Sequence, residues 1–242
     1  MTHLNDPLFE RTRLVFEDDQ LQQITASKVL VAGVGGVGGF VVEALARGGV
    51  GKLVLIDHDI ISPSNLNRQL IALHSTLGQP KVQVMAARLH DINPLVNVEV
   101  RQQFLAPDDM PLLLEEGFDV VIDAIDSLNC KVALLKSAWE RKVPIFSSMG
   151  AGRRIDPSKI CIADLMDTHG CGLARQVRQR LRKQGVGRGI TVVFSTETPR
   201  SPGLYEQIAG ARGRVVNGTA SYMPGLFGLT LAGLVLQALA EK

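Results

Sequence analysis

The feature that most constrains this chain is a glycine-rich turn between a short apolar run and a longer one with helical spacing. Lys28–Gly33 (KVLVAG) reads as a buried strand, and Gly33-Val34-Gly35-Gly36-Val37-Gly38 follows it. Gly39–Gly48 (GFVVEALARG) then repeats apolar residues every three to four positions, as a helix requires. Glycines placed there let the backbone turn tightly and approach a phosphate chain. The helix that follows offers free N–H groups and the positive end of its dipole. Nicotinamide and adenosine nucleotides exploit the same device, so the turn predicts phosphate binding without choosing the ligand.

The rest of the chain continues the alternation. Lys52–Ile56 (KLVLI) reads as a second buried strand ending at Asp57, Lys81–Ile92 as a helix, and Asn97–Gln102 as an alternating strand. Asp119–Ile125 (DVVIDAI) and Val143–Ser147 (VPIFS) read as further strands, with a helix around Trp139 between them. Such a series predicts an α/β fold: a doubly wound, Rossmann-like, mostly parallel sheet with a C-terminal extension. At 242 residues the chain suits a single domain. Residues 1–152 form its nucleotide-binding half and 153–242 its substrate-facing half. In the second half a short strand, Lys159–Ala163, precedes a basic helix, Leu173–Lys183, and the strand Ile190–Ser195. Thr198–Asn217, rich in Pro, Gly and Arg, reads as a mobile loop. A helix is predicted over 11–27.

The C-terminal run Gly225–Ala240 is apolar nearly all round. Its 16 residues fall short of the roughly 20 that a bilayer span needs, so a helix buried against the sheet is expected, with no membrane contact. The charged N-terminus carries no secretory h-region. Three cysteines, Cys130, Cys161 and Cys171, form no C-x-x-C pair and fit a reducing cytosol. Cys130 and Cys161 read as core.

The residues after the turn separate ATP from a dinucleotide. Asp57 stands where a Rossmann domain places a carboxylate on ribose hydroxyls, and Asp59 adds a second. Asn65-Leu66-Asn67-Arg68-Gln69 follows, then Lys81 at a helix start and Asp126 after the fourth strand. A dinucleotide pyrophosphate is served by backbone N–H groups. A triphosphate attacked at its α-phosphorus needs cations on the α and leaving phosphates, which Arg68 and Lys81 would supply. Asp126 is a candidate magnesium ligand. His58 and His74 lie near this set without a ligand partner.

The run GVGGVGGFVVEALARGGVGKLVLIDHD…SPSNLNRQ…GQPK…DAIDS resembles the ThiF-type, ubiquitin-activating-like adenylating enzymes. The resemblance implies ATP on Gly33, Gly35, Gly36 and Gly38, with Asp57 on the ribose. It implies Asn65, Arg68 and Lys81 at the phosphates, and Asp126 with Asp59 at magnesium. It further implies a homodimer in which an N-terminal arginine, Arg11 or else Arg13, reaches the neighbouring site.

In the second half, SSMGAGRRIDPSKICIADL, VVFSTETP and NGTASYMPGLFG look like one branch of that family, the tRNA threonylcarbamoyladenosine dehydratases. The implied partner is tRNA carrying threonylcarbamoyladenosine, and the implied location cytoplasmic. A monovalent cation and a sulfur-trafficking protein partner stay open, as does adenylation of a ubiquitin-like sulfur carrier in place of tRNA. An NAD-binding Rossmann protein is the more distant alternative.

Charge is divided along the chain. Residues 1–140 carry 11 Lys+Arg against 18 Asp+Glu, whereas residues 141–214 carry 14 against 5. On the predicted basic helix, Arg175, Arg178 and Arg182 recur at i, i+3 and i+7 along one face, which suits tRNA phosphates. Arg188, Arg200, Arg212 and Arg214 lie on adjoining turns. Arg153 and Arg154, just past the fifth strand, are candidates for orienting substrate phosphate, and Cys171 for a relay thiol.

Overall fold

The computed structural model describes residues 6–200 and 217–242, with the backbone of 204–206 and 214–216. Seven strands form one sheet: β1 (Lys28–Ala32), β2 (Lys52–Ile56), β3 (Asn97–Arg101), β4 (Val120–Asp123), β5 (Ile145–Ser148), β6 (Ile160–Asp164) and β7 (Thr191–Ser195). Their order is β3-β2-β1-β4-β5-β7-β6, parallel except that β6 runs antiparallel to β7 at one edge. The strand order reverses direction beside β1, the place where a doubly wound sheet opens a ligand crevice at its C-terminal edge.

Alternation along the central strands feeds two cores. Val29, Val31, Leu53, Leu55, Val120 and Ile122 face one side, while Leu30, Ala32, Val54, Ile56 and Val121 face the other. The first face is covered by α2 (Gly38–Arg47), α3 (Lys81–Ile92) and α7 (Met223–Ala240). The second is covered by α4 (Met110–Leu114), α5 (Leu128–Glu140) and α6 (Gly172–Lys183). Strands buried on both faces need continuous apolar runs, which is what KVLVA and KLVLI supply.

Three expectations shift. The helix predicted over 11–27 is α1 (Asp18–Ala26), preceded by two single 3-10 turns, Pro7–Phe9 and Thr12–Leu14. A bidentate ion pair from Arg13 to Asp18 joins the second turn to the start of α1. The segment Thr198–Asn217, read as loop, contains an antiparallel pair, β8 (Leu204–Glu206) with β9 (Arg214–Val216); its remaining stretches, 201–203 and 207–213, lie outside the described residues. The C-terminal helix starts at Met223, two residues before the apolar run, so its 18 residues reach the length of a membrane span. Phe227, Leu231, Val235 and Leu239 are nevertheless completely buried in the first core.

Close approach of α7 to α2 requires Gly228, where a Cβ would stand 2.5 Å from the Val37 carbonyl oxygen and 2.9 Å from Phe40 Cβ. Gly228→Ala is therefore expected to destabilise the fold by about 1–3 kcal/mol, as overpacking does. Urea denaturation should show a lower midpoint with an unchanged slope.

Candidate nucleotide site and basic face

The candidate site is assembled at the C-terminal ends of β1, β2 and β4. Gly33 leaves β1 with φ +92°, and a Cβ on it would stand 2.7 Å from the Ala124 carbonyl oxygen. A Cβ on Gly38 would fall 1.8 Å from the Gly33 carbonyl oxygen. Only glycine closes the turn this way. Among the described residues, no acceptor takes the backbone N–H of Gly35, Gly36 or Val37. These donors precede α2, and together they offer an anion the concave array that a phosphate uses.

Asp57 holds the turn from the β2 side. Its Oδ2 accepts from Val34 N at 2.7 Å and its Oδ1 from Asp59 N at 2.9 Å. The carboxylate thus sets the turn's height above the sheet as well as presenting charge beside it. Asn65 is buried and accepts from Ser62 N through Oδ1 at 3.1 Å, while its carbonyl receives Arg68 N and Gln69 N. It shapes the short turn that brings Arg68 and Gln69 under the glycines. The Arg68 Cγ lies 3.5 Å from where a Gly36 Cβ would be, and its Nη1 donates to Ser64 O and to Asn67 Oδ1.

Lys81, the first residue of α3, is 4% exposed. Its Nζ meets Asp59 Oδ2 at 2.6 Å, and its backbone N donates to Asp59 O at 3.1 Å. The cation expected at the phosphates is held in advance by the acid expected at magnesium. His58 Nε2 lies 3.3 Å from Asp59 Oδ1. Asp57, His58 and Asp59 can bring one ligand atom each within 4.8 Å of one another, yet both oxygens of each carboxylate are already engaged. Asp126 is exposed on the loop after β4 and has no hydrogen bond or ion pair among the described residues. It remains the carboxylate with open oxygens. His74 is exposed in a 3-10 turn of its own.

Several features were missed in the sequence. Gln69 is buried with its Oε1 unpartnered, and its Nε2 lies 3.7 Å from where a Gly35 Cβ would be. Asp123 and Lys131 form a fully buried ion pair at 2.5 Å beneath the turn. Asn67 Nδ2 donates to Thr219 O, and Pro224 packs on Gly36, so the segment before α7 walls the site. The Q of the N-x-x-R-Q run was the available signal for Gln69; nothing in an apolar helix marks Lys131 as a buried cation.

The basic helix needs one correction. Arg178 Nη1 donates to Thr168 O at 2.8 Å and also contacts Thr168 Oγ1, so this arginine ties α6 to the preceding turn and is half-buried. Arg175 and Arg182 remain exposed on α6. Arg188 is bound bidentately to Asp167, which raises its own pKa and lowers that of the carboxyl through hydrogen bonding. Arg154 is 3% exposed, donating to Gly150 O and Gly152 O with its Nε unpartnered; it is an internal strut, not a solvated charge. Arg153 keeps its backbone at φ +62° and donates from Nε to Arg200 O. The side chains of Arg212 and Arg214 lie outside the described residues. Cys171 caps α6 with its sulfur and is buried, as is Cys130; Cys161 is half-buried on β6.

A family model described as ThiF matches residues 9–242. The chain belongs to the ThiF family. It is 39% identical to a tRNA threonylcarbamoyladenosine dehydratase of Bacillus subtilis, over 96% of this chain and 94% of that one. A molybdopterin-synthase adenylyltransferase of Haemophilus influenzae is 35% identical, but over 57% of this chain and 56% of its own. The solved E. coli tRNA N6-threonylcarbamoyladenosine dehydratase, TcdA, superimposes with a TM-score of 0.87 in complex with AMP, at 35% identity over 100% of this chain and 98% of that one. Its complex with ATP gives 0.86, at 34% identity over 96% and 93%.

Proposed function

We propose that this chain is an ATP-dependent dehydratase of threonylcarbamoyladenosine in tRNA. The observation that carries the reading is the extent of the likeness: kinship with dehydratases runs through the substrate-facing half, whereas kinship with a sulfur-carrier adenylyltransferase covers little more than half the chain. The free N–H groups of the glycine turn and the two cations beside it give the reaction its place. A carboxylate oxygen of the threonylcarbamoyl group attacks the α-phosphorus of ATP, and the bond to the bridging oxygen breaks to release pyrophosphate. A heteroatom of the neighbouring carbamoyl group then attacks the activated carbonyl, closing a ring and expelling AMP with the former carboxylate oxygen. One water is lost from the nucleoside overall. Ring closure within one molecule benefits from high effective molarity, so no enzymic nucleophile is needed. The burial of Cys171 agrees with that economy.

In this mechanism Arg68 and Lys81 neutralise the α and leaving phosphates, and Asp57 accepts the ribose hydroxyls. Magnesium fits Asp126 better than Asp59, because Lys81 and His58 already occupy Asp59. When bound, the ion would screen charge on the triphosphate. Incubation with ATP, magnesium and tRNA bearing threonylcarbamoyladenosine should yield a nucleoside lighter by one water in mass spectrometry. Arg68→Ala and Lys81→Ala should each lower turnover by about 100-fold or more while circular dichroism stays native. Near-normal rates in both variants would overturn the assignment.

The tRNA stem is held by the exposed arginines of α6, with Arg178 contributing indirectly through its hold on Thr168. Phosphate contacts of this kind release counterions and make affinity fall with salt. Arg175→Glu combined with Arg182→Glu should weaken tRNA binding and flatten its salt dependence, with ATP affinity unchanged in calorimetry. Unaltered tRNA binding at moderate salt would return α6 to the status of a solvated face.

The active species is a cytoplasmic homodimer in which Arg11 completes the neighbouring site. Arg11 is exposed, and its guanidinium has no hydrogen bond or ion pair among the described residues, whereas Arg13 is bound to Asp18. Leu14 and Val15 beside it are each 78% exposed, an apolar surface that a second copy would cover. Mixing Arg11→Ala with Lys81→Ala subunits should restore activity that neither has alone, since one site of the hybrid is whole. Failure to complement after verified subunit exchange would rule out the shared site.

A further inference from the structure

We infer that Lys131 is a positioning residue for adenylation, acting through Asp123 to fix the loop that carries Asp126 and the strand end that leads to the substrate. The inference rests on the function proposed above. Asp123, the last residue of β4, and Lys131, in the first turn of α5, are both 0% exposed. Lys131 Nζ lies 2.5 Å from Asp123 Oδ2 and donates a second hydrogen bond to Ser148 O at 3.0 Å. Ser147 Oγ donates to the same Oδ2 at 2.5 Å. The other carboxylate oxygen accepts from Ile125 N at 3.1 Å.

Each of these bonds holds something the reaction uses. The bond to Ile125 N sets the backbone one residue before Asp126. Ala124 and Ile125 are also the groups on which Gly33 rests, with the Ala124 carbonyl oxygen 2.7 Å and Ile125 N 3.3 Å from a Gly33 Cβ position. The bonds to Ser147 and Ser148 fix the end of β5, two residues before the Gly150–Gly152 stretch on which Arg154 is braced. One ion pair therefore joins the floor of the glycine turn, the Asp126 loop and the start of the substrate-facing half.

Stability alone does not account for this pair. Burying two charges costs more desolvation than most such pairs return, and an apolar pair of equal volume often serves a fold as well. What an apolar pair lacks is direction: it cannot hold Ile125 N and Ser147 at fixed angles to one carboxylate and Ser148 O at a fixed angle to its ammonium partner. Here the geometry is used on three strand-end groups at the site.

The test is the double variant Asp123→Asn/Lys131→Met, which removes both charges together and leaves neither buried alone. With a melting temperature within a few degrees of wild type, it should lower single-turnover dehydration by about 30-fold or more. ATP affinity by calorimetry should move less than about threefold. Hydrogen exchange should quicken in the peptide spanning 120–127 and not in α2 or α7. Lys131→Arg, which keeps the charge, should recover a large part of the rate. A merely structural pair would quicken exchange throughout and leave the folded fraction with its normal rate. Ser147→Ala provides a second arm that leaves the ion pair intact, and should show a smaller loss of rate with the same unchanged ATP affinity. A folded double variant, or Ser147→Ala should the double variant not fold, turning over at the wild-type rate overturns the inference. An inactive wild type with intact ATP binding would instead point to the wrong substrate.

Discussion

No side-chain atom fits between Gly38 and the carbonyl oxygen of Gly33, and none fits between Gly33 and Ala124. That double steric exclusion brings the start of α2 down onto the ends of β1 and β4. Its consequences spread outward. With the turn this low, Asp57 at the end of β2 reaches Val34 N, and the N–H groups of Gly35, Gly36 and Val37 are left without acceptors among the described residues. A helix start in that condition favours an anion, and the cations Arg68 and Lys81 are brought to it by the turn after Asn65 and by the first residue of α3. The sheet core makes the crevice; the glycines give its rim an array of free N–H groups.

The cation at the site is stored and not free. A buried lysine is costly unless paired, and Asp59 meets Lys81 at 2.6 Å through a side chain that is itself half exposed. Asp59 is thus engaged at both oxygens, whereas Asp126 has no hydrogen bond or ion pair among the described residues. Two carboxylates that the sequence presents as equal candidates thus differ in engagement, because one sits opposite an ammonium and the other does not.

Much of this was legible in the residues. Periodicity in KVLVAG, KLVLI and DVVIDAI, with helices between, was enough for a parallel doubly wound sheet, since strands buried on both faces must be continuously apolar. The glycine turn, with Asp57, Asn65, Arg68, Lys81 and Asp126 in that order, was readable as a candidate set, and the structure brings Asp57, Asn65 and Arg68 to the turn. What was not legible depends on three-dimensional pairing. Lys131 occupies a position in α5 that spacing alone cannot distinguish from a solvated lysine, and only the meeting of α5 with β4 and β5 makes it a buried cation. Arg178 has the right period for a basic face, but Thr168 lies within its reach, and a hydrogen bond in a half-buried place outcompetes solvent. Arg154 is hidden for the same reason, by carbonyl groups four and two residues before it.

The division of charge gains meaning from these exceptions. Once Arg154, Arg178 and Arg188 are engaged by internal or surface partners, fewer arginines of the second half stand free than their count suggests, although its net charge is unchanged. The residues left for a polyanion are fewer and more localised, chiefly Arg175 and Arg182 on the outer side of α6. So sparse a basic face would position a folded RNA through a few backbone phosphates without reading its sequence. The buried network joining β4 to β5 ties the end of one strand, beneath the glycine turn, to the end of the next, two residues before Gly150.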